Sequence, residues 1–191
     1  FVAVRFDEML MKRILVAGGG GFIAAHSLQP LVAAGFAVHV VDLKPCGKDV
    51  PENVVWHQAD LMNSDDVKKV LHEVRPSHLL NFAWFVRHGE YLSSPENFNS
   101  LTSNFRLLQQ FADAGGKRVV MAGTCFEYDF SSGICDEKET RVKPVGVYGS
   151  CKLAMYEMLK SYAQVYGLSW AWGRIFFVFG PAEDPRRFVP A

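Results

Sequence analysis

Tyr148-Gly149-Ser150-Cys151-Lys152 sets a phenol and an ammonium four residues apart, so that on a helix both side chains leave the same face. An ammonium beside a phenol favours the phenolate, which predicts a depressed tyrosine pKa and an acid or base usable near neutrality. Thr124 follows Val119-Val120-Met121-Ala122-Gly123, which places a hydroxyl at the end of a strand, able to share a substrate oxygen with Tyr148. Turn capping is the plain alternative for that threonine. Cys125 is a second proton donor if a cation ionises it, against the commoner fate of a buried, inert thiol. Glu127 and Tyr128 are expected to line the same pocket. The chain holds another pair at the same spacing, Tyr156 and Lys160, two turns further along and expected to pack.

A second stretch can cradle a dinucleotide pyrophosphate. In Ala17-Gly18-Gly19-Gly20-Gly21-Phe22-Ile23-Ala24, Gly19, Gly21 and Ala24 fit the ordinary dinucleotide fingerprint, and Gly18, Gly21 and Ala24 fit a wider G-x-x-G-x-x-A spacing. Missing side chains let the backbone approach the phosphates, and the helix that follows offers N–H groups and a favourable dipole. A flexible turn is the alternative, but the run follows a strand and opens a helix. Asp42 lies about twenty residues beyond Gly21, where a carboxylate accepts both ribose hydroxyls of an adenosine and repels a 2′-phosphate. NAD is therefore expected over NADP, with Lys44 working against that preference. A turn-forming role is the alternative for Asp42.

These residues need elements to hold them. From Arg13 onward, short apolar runs alternate with longer helical patterns, the signature of a parallel sheet with helical crossovers. The predicted strands are Arg13–Ala17, Val38–Asp42, Val54–Gln58, His78–Asn81, Arg118–Ala122 and Ser169–Phe177. The predicted helices are Phe22–Ala34, Ser64–Val74, Pro95–Ala114 and Val147–Tyr166. This is an α/β chain with a Rossmann-type, doubly wound parallel sheet in three α/β/α layers. The helix after the fifth strand must run antiparallel to the sheet, so Tyr148 in its first turn sits at the strands' carboxyl ends, where ligands bind. Asn63-Ser64-Asp65-Asp66 and Ser94-Pro95-Glu96 read as helix starts. Pro30 predicts a kink or an early end in the first helix. Residues 129–146 read as a polar surface loop near the site.

The whole composition narrows the partners. Across 191 residues, 49% hydrophobic and 21% charged, twenty basic side chains balance twenty acidic ones, so no global field favours nucleic acid or an anionic membrane. No apolar run is long enough to span a bilayer. Cys46, Cys125, Cys135 and Cys151 show no C-x-x-C pair or metal-ligand spacing, so no structural metal or disulfide is expected and the setting reads as cytoplasmic. Residues 1–10 precede the first strand and read as an upstream extension, with residues 11–191 forming the cofactor domain.

The glycine run and the Thr–Tyr–Lys set together resemble the extended short-chain dehydrogenase/reductase family, in its NAD-dependent nucleotide-sugar epimerase/dehydratase branch. The resemblance covers residues 12–191. Gly18–Ala24 matches the family's opening G-G-x-G-F-I-G/A, including Phe22 and Ile23, and Thr124, Tyr148 and Lys152 match its Ser/Thr–Tyr–Lys triad. It implies that Lys152 also holds the nicotinamide ribose, that Asp60 and Leu61 lie beside the adenine, and that Asn81-Phe82-Ala83-Trp84 passes the cofactor phosphates. It further implies a homodimer through the helices Pro95–Ala114 and Val147–Tyr166. Family members continue into a smaller lobe that grips the substrate, so that lobe is expected to be largely absent from these residues.

Departures from the family pattern sharpen the functional expectation. Cys125-Phe126 stands where the branch's dehydratases carry an Asp-Glu pair, which argues against a 4,6-dehydratase. Phe177 replaces an asparagine that often contacts the nucleotide-sugar, and Ser100 stands where a helix asparagine is usual. The resemblance implies an NAD-dependent epimerase or reductase of a nucleotide-sugar, with Tyr148 as acid/base. The alternative is a cofactor-binding module or redox sensor without catalysis.

Overall fold

A computed structural model describes residues 11–183 and Arg186, so the expectations for residues 1–10 and for the C-terminal end lie outside the described residues. Six strands, β1 (Arg13–Ala17), β2 (Ala37–Asp42), β3 (Val54–Gln58), β4 (His78–Asn81), β5 (Arg118–Thr124) and β6 (Ser169–Ile175), form one sheet. Their order is β3-β2-β1-β4-β5-β6, and every neighbouring pair is parallel. The order reverses between β1 and β4, and the crevice at that switch point is where such sheets receive ligands.

Helices cover both faces, which explains why the inner strands read as nearly unbroken apolar runs. Helix α1 (Phe22–Ala33) lays Ala24 and Leu28 on Val16, Val38 and Val40. On the other face, α2 (Ser64–Val74), α3 (Glu96–Asp113) and α4 (Gly146–Tyr166) bury Val67, Leu71, Leu107, Phe111, Met155 and Leu159 against Leu15, Val41, Leu79, Val119 and Met121. Leu159 is fully buried, so Leu159→Ala would cost about 2–5 kcal/mol through lost contacts and the cavity left behind. Among the described residues no helix is long and apolar enough to cross a membrane.

Local chemistry explains most element boundaries. The Asn63 side chain accepts the N–H groups of Asp65 and Asp66 and starts α2. Ser94 Oγ accepts the Glu96 N–H at 3.2 Å, and Pro95 stands at the cap rather than inside α3. β5 runs two residues past its predicted end because its register with β6 continues to Thr124 opposite Ile175. β6 stops at Ile175, so Phe176 and Phe177 lie beyond the strand. Helix α1 does not end at Pro30. The ring removes one donor within the last turns, and Ala34 N–H still closes on the Pro30 carbonyl at 2.9 Å.

Candidate functional site

The glycine run forms the turn between β1 and α1, tied to the strands on either side. Gly18 N–H donates to the Val41 carbonyl at 2.9 Å and Gly21 N–H to the Gly18 carbonyl at 3.0 Å. Gly18 has φ +75°, and a side-chain carbon there would lie 2.8 Å from the Ala83 backbone. Glycine is thus required both by conformation and by the close approach of the β4 loop. Among the described residues no side chain caps α1 at Gly21, which leaves the first-turn N–H groups, from Phe22 and Ile23 onward, as an anion-binding end.

Asp42 and Asp60 stand on the wing of the sheet beyond β1. Asp42 Oδ2 accepts the Gly20 N–H and Oδ1 the Lys44 N–H, both at 2.9 Å, so the carboxylate ties the end of β2 to the glycine turn. Asp60 follows β3 and accepts the Met62 N–H at 2.8 Å, with Leu61 packed against the larger core cluster.

On the other side of the switch point, the β4 loop is fixed by amides. Buried Asn81 donates to Asn104 Oδ1 and accepts the Ala83 N–H at 3.0 Å, and Asn104 donates back to the Ala83 carbonyl at 3.0 Å. Phe82 packs toward the α1 face, while Ala83 and Trp84 pack toward α3 and α4. Ser100 Oγ accepts the Phe85 N–H at 3.1 Å, so the residue in place of the usual asparagine still binds this loop.

Thr124, Tyr148 and Lys152 converge at the carboxyl end of β5, and all three are buried. Gly149 makes this possible, because its missing side chain lets α4 come within 2.5 Å, measured from a built Cβ, of the Phe126 carbonyl oxygen. The Tyr148 ring sits edge-to-face with Tyr91, Phe126 and Trp84 at centroid distances of 4.9, 6.1 and 6.5 Å. Lys152 Nζ donates to the Ala122 carbonyl at 2.8 Å and lies 3.9 Å from the Trp84 ring centroid.

The electrostatics correct the sequence expectation of a depressed tyrosine pKa. Burial pushes the Tyr148 phenol up to about 12, opposed by its hydrogen bond with Thr124. Burial also drives Lys152 down to about 7, with the Glu127 carboxylate working the other way. Loss of hydration outweighs the i, i+4 pairing, since Lys152 Nζ lies 6.0 Å from the Tyr148 ring centre and on the indole face instead. Cys125 is buried, and desolvation raises its thiol pKa, which fits the inert reading over the donor one.

Glu127 does not line the pocket. It is fully buried beneath Thr124, accepting the Thr124 N–H at 2.9 Å, the Trp172 indole N–H at 3.1 Å and Arg174 Nε–H at 2.7 Å. The spacing Thr124-x-x-Glu127 forms a capping box, a signal legible in the sequence but unused there. Tyr128 is buried too, under the Arg174 guanidinium. Asn97, which accepts the Trp84 indole N–H at 2.8 Å, carried no such signal. Tyr156 packs between Trp170 and Trp172. Phe177 is 77% exposed and makes an edge contact with Phe126.

A parallel sheet of this order, with a glycine turn at its switch point, defines a Rossmann-type cofactor domain. The chain matches the NAD dependent epimerase/dehydratase family over residues 14–191 and belongs to it, with NAD as the family's cofactor. The UDP-glucose 4-epimerase of Lactobacillus helveticus is 27% identical over 176 residues, 90% of this chain and 53% of that protein. The crystal structure of the Thermus thermophilus UDP-glucose 4-epimerase in complex with NAD superposes with a TM-score of 0.80 at 31% identity, covering 91% of this chain and 58% of that one. An NAD-dependent NDP-hexosamine 5,6-dehydratase of tunicamycin biosynthesis, at 24% identity and a TM-score of 0.76 over 94% of this chain and 59% of that one, shares the fold alone. The chain spans about half the length of the curated relatives it matches.

Proposed function

We propose that the chain is the NAD-binding, proton-handling part of an enzyme that epimerises or reduces a nucleotide-activated sugar by reversible hydride transfer. The observation that carries this reading is the convergence of Thr124, Tyr148 and Lys152 at the carboxyl end of β5, across the β4 loop from the glycine turn, with Ala83 of that loop against Gly18 and Trp84 against Lys152. The turn suits the cofactor because, among the described residues, no side chain caps the first-turn N–H groups of α1, which leaves them for the pyrophosphate. In this reading Gly18, Gly21, Phe22 and Ile23 hold the pyrophosphate, Asp42 the adenosine ribose, and Asp60 and Leu61 the adenine. Phe82 and Ala83 pass the phosphates, Lys152 holds the nicotinamide ribose, and the Trp84 side chain faces Lys152 rather than the phosphates.

When bound, NAD supplies the hydride acceptor and donor. Tyr148 exchanges the proton of the sugar hydroxyl or keto oxygen, and Thr124 orients that oxygen. At neutral pH the buried Tyr148 holds its proton, the form that donates to a keto oxygen. In the reverse direction the Lys152 ammonium stabilises the phenolate as it develops.

Cys125 and Phe126 support epimerase or reductase chemistry over 4,6-dehydration, since Phe126 has no proton to give and the Cys125 thiol is held protonated by burial. An apolar groove between α3 and α4, lined by Phe105, Met158, Tyr162 and Val165, supports a homodimer through those helices. Four unpaired thiols support a cytoplasmic setting.

The test is calorimetric titration with NAD and NADP, followed by turnover of the protein carrying this chain on a panel of nucleotide-sugars. NAD should bind more tightly than NADP, and Tyr148→Phe should abolish turnover while sparing NAD affinity. Undiminished turnover in Tyr148→Phe removes the acid/base assignment. NADH-dependent partner binding without turnover points instead to a non-catalytic module.

A further inference from the structure

Lys152 is 4% exposed, yet none of the ion pairs among the described residues involves it. Its ammonium donates to the Ala122 carbonyl and rests on the face of an indole, 3.9 Å from the ring centroid, with the Tyr148 ring centre at 6.0 Å and the Glu127 carboxylate acting on it without an ion pair. The negative face of an indole attracts a cation, most strongly where water is excluded. Trp84 is itself held in place, because Asn97, 0% exposed, accepts its Nε1–H at 2.8 Å. Asn97 in turn donates to the carbonyls of Tyr91 and Ser94, at 2.6 and 2.8 Å. The same indole meets the Tyr148 ring at 76°. One rigid plane therefore touches both members of the Tyr–Lys pair.

We infer that Trp84, held by Asn97, is a positioning residue for Lys152: its indole face seats the buried ammonium between Ala122 and Tyr148. This rests on the reading of Tyr148 and Lys152 as the proton-handling pair. The role is electrostatic as well as steric: the Glu127 carboxylate beneath Thr124 also favours the ammonium but opposes the Tyr148 phenolate, whereas the indole face holds the ammonium without adding a second negative charge.

The experiment is pH-dependent labelling of Lys152 with an amine-reactive reagent, read by peptide mass spectrometry and using the surface residue Lys160 as internal reference. It needs no turnover, so it gives an answer even if the enzymatic reading fails, and a chain that labels as expected but turns over no nucleotide-sugar refutes that reading alone. In Trp84→Leu the labelling midpoint of Lys152 should move down by about one pH unit, a tenfold larger neutral fraction at a given pH, with Lys160 unchanged. Trp84→Phe keeps a ring face and should keep most of the wild-type midpoint. Faster labelling at every pH with an unmoved or raised midpoint in Trp84→Leu would mean that the indole only shields Lys152, and would overturn the inference. If Trp84→Leu does not fold, Trp84→Phe and Asn97→Ala decide it. Asn97→Ala should lower the midpoint below that of Trp84→Phe, and equal midpoints in Asn97→Ala and wild type would overturn the role given to Asn97.

Discussion

Arg174 Nε donates to Glu127 Oε2 at 2.7 Å, joining the end of β6 to the turn beneath Thr124 with a fully buried carboxylate. Breaking such a pair from one side strands a charge. Glu127→Ala should therefore destabilise the fold by about 3–5 kcal/mol, read as a lower denaturant midpoint. Glu127→Gln keeps an acceptor for the Thr124 N–H and should cost less. Equal stability of Glu127→Ala and the parent would show that the pair contributes nothing.

Gly149→Ala would set a methyl 2.5 Å from the Phe126 carbonyl oxygen and force the start of α4 away from the turn that holds Thr124. Separating Tyr148 from Thr124 by even an ångström should lower turnover about 100-fold, while NAD affinity measured by calorimetry stays near that of the parent. A parallel loss of NAD binding would place the damage in the cofactor cradle instead.

Asp42→Ala removes the acceptor for two backbone N–H groups, those of Gly20 and Lys44. NAD affinity should fall through the loosened turn as well as through the lost carboxylate. Asp42→Asn, which retains an acceptor oxygen, should fall less. Calorimetric titration of both variants with NAD and NADP checks this, and identical NAD affinities for the two would remove the structural part of the argument.

His39 and His57 share a hydrogen bond at 3.1 Å on β2 and β3, and desolvation lowers both pKa values below 6.5, opposed in each by Glu73. The unfolded chain thus binds protons below pH 6.5 that the folded chain resists, so stability falls as the pH drops through that value and this contribution is flat above it. Denaturant midpoints at pH 7.5 and 5.5 should differ, and His39→Gln should reduce the difference. An unchanged difference would assign the acid sensitivity elsewhere.

The fold was legible because periodicity and glycine placement are local signals. β1, β3, α2 and β4 begin and end where their patterns do: β1 is buried from Ile14 to Ala17 and apolar over those residues, and α2 starts at the Asn63 cap. Thr124, Tyr148 and Lys152 were found by spacing and strand position, and the structure brings them together. What spacing could not give was their electrostatics. Tyr148 and Lys152 sit on one helix face, yet the solvent each loses depends on Trp84, Tyr91 and Phe126, which come from distant segments. Glu127 was misplaced for a related reason: its partners Trp172 and Arg174 are more than forty residues away and meet it only once β6 pairs with β5.

The Asn81–Asn104 pair fixes the β4 loop beside the glycine turn, and its members are amides. Neither acid nor salt acts on such groups as it does on the imidazoles of β2 and β3 or on the exposed ion pairs. The β4 side of the switch point is therefore held by neutral groups, whereas the glycine turn facing it is tied to β2 by the Asp42 carboxylate, so a change of pH or salt acts on one wall of the cleft and not on the other.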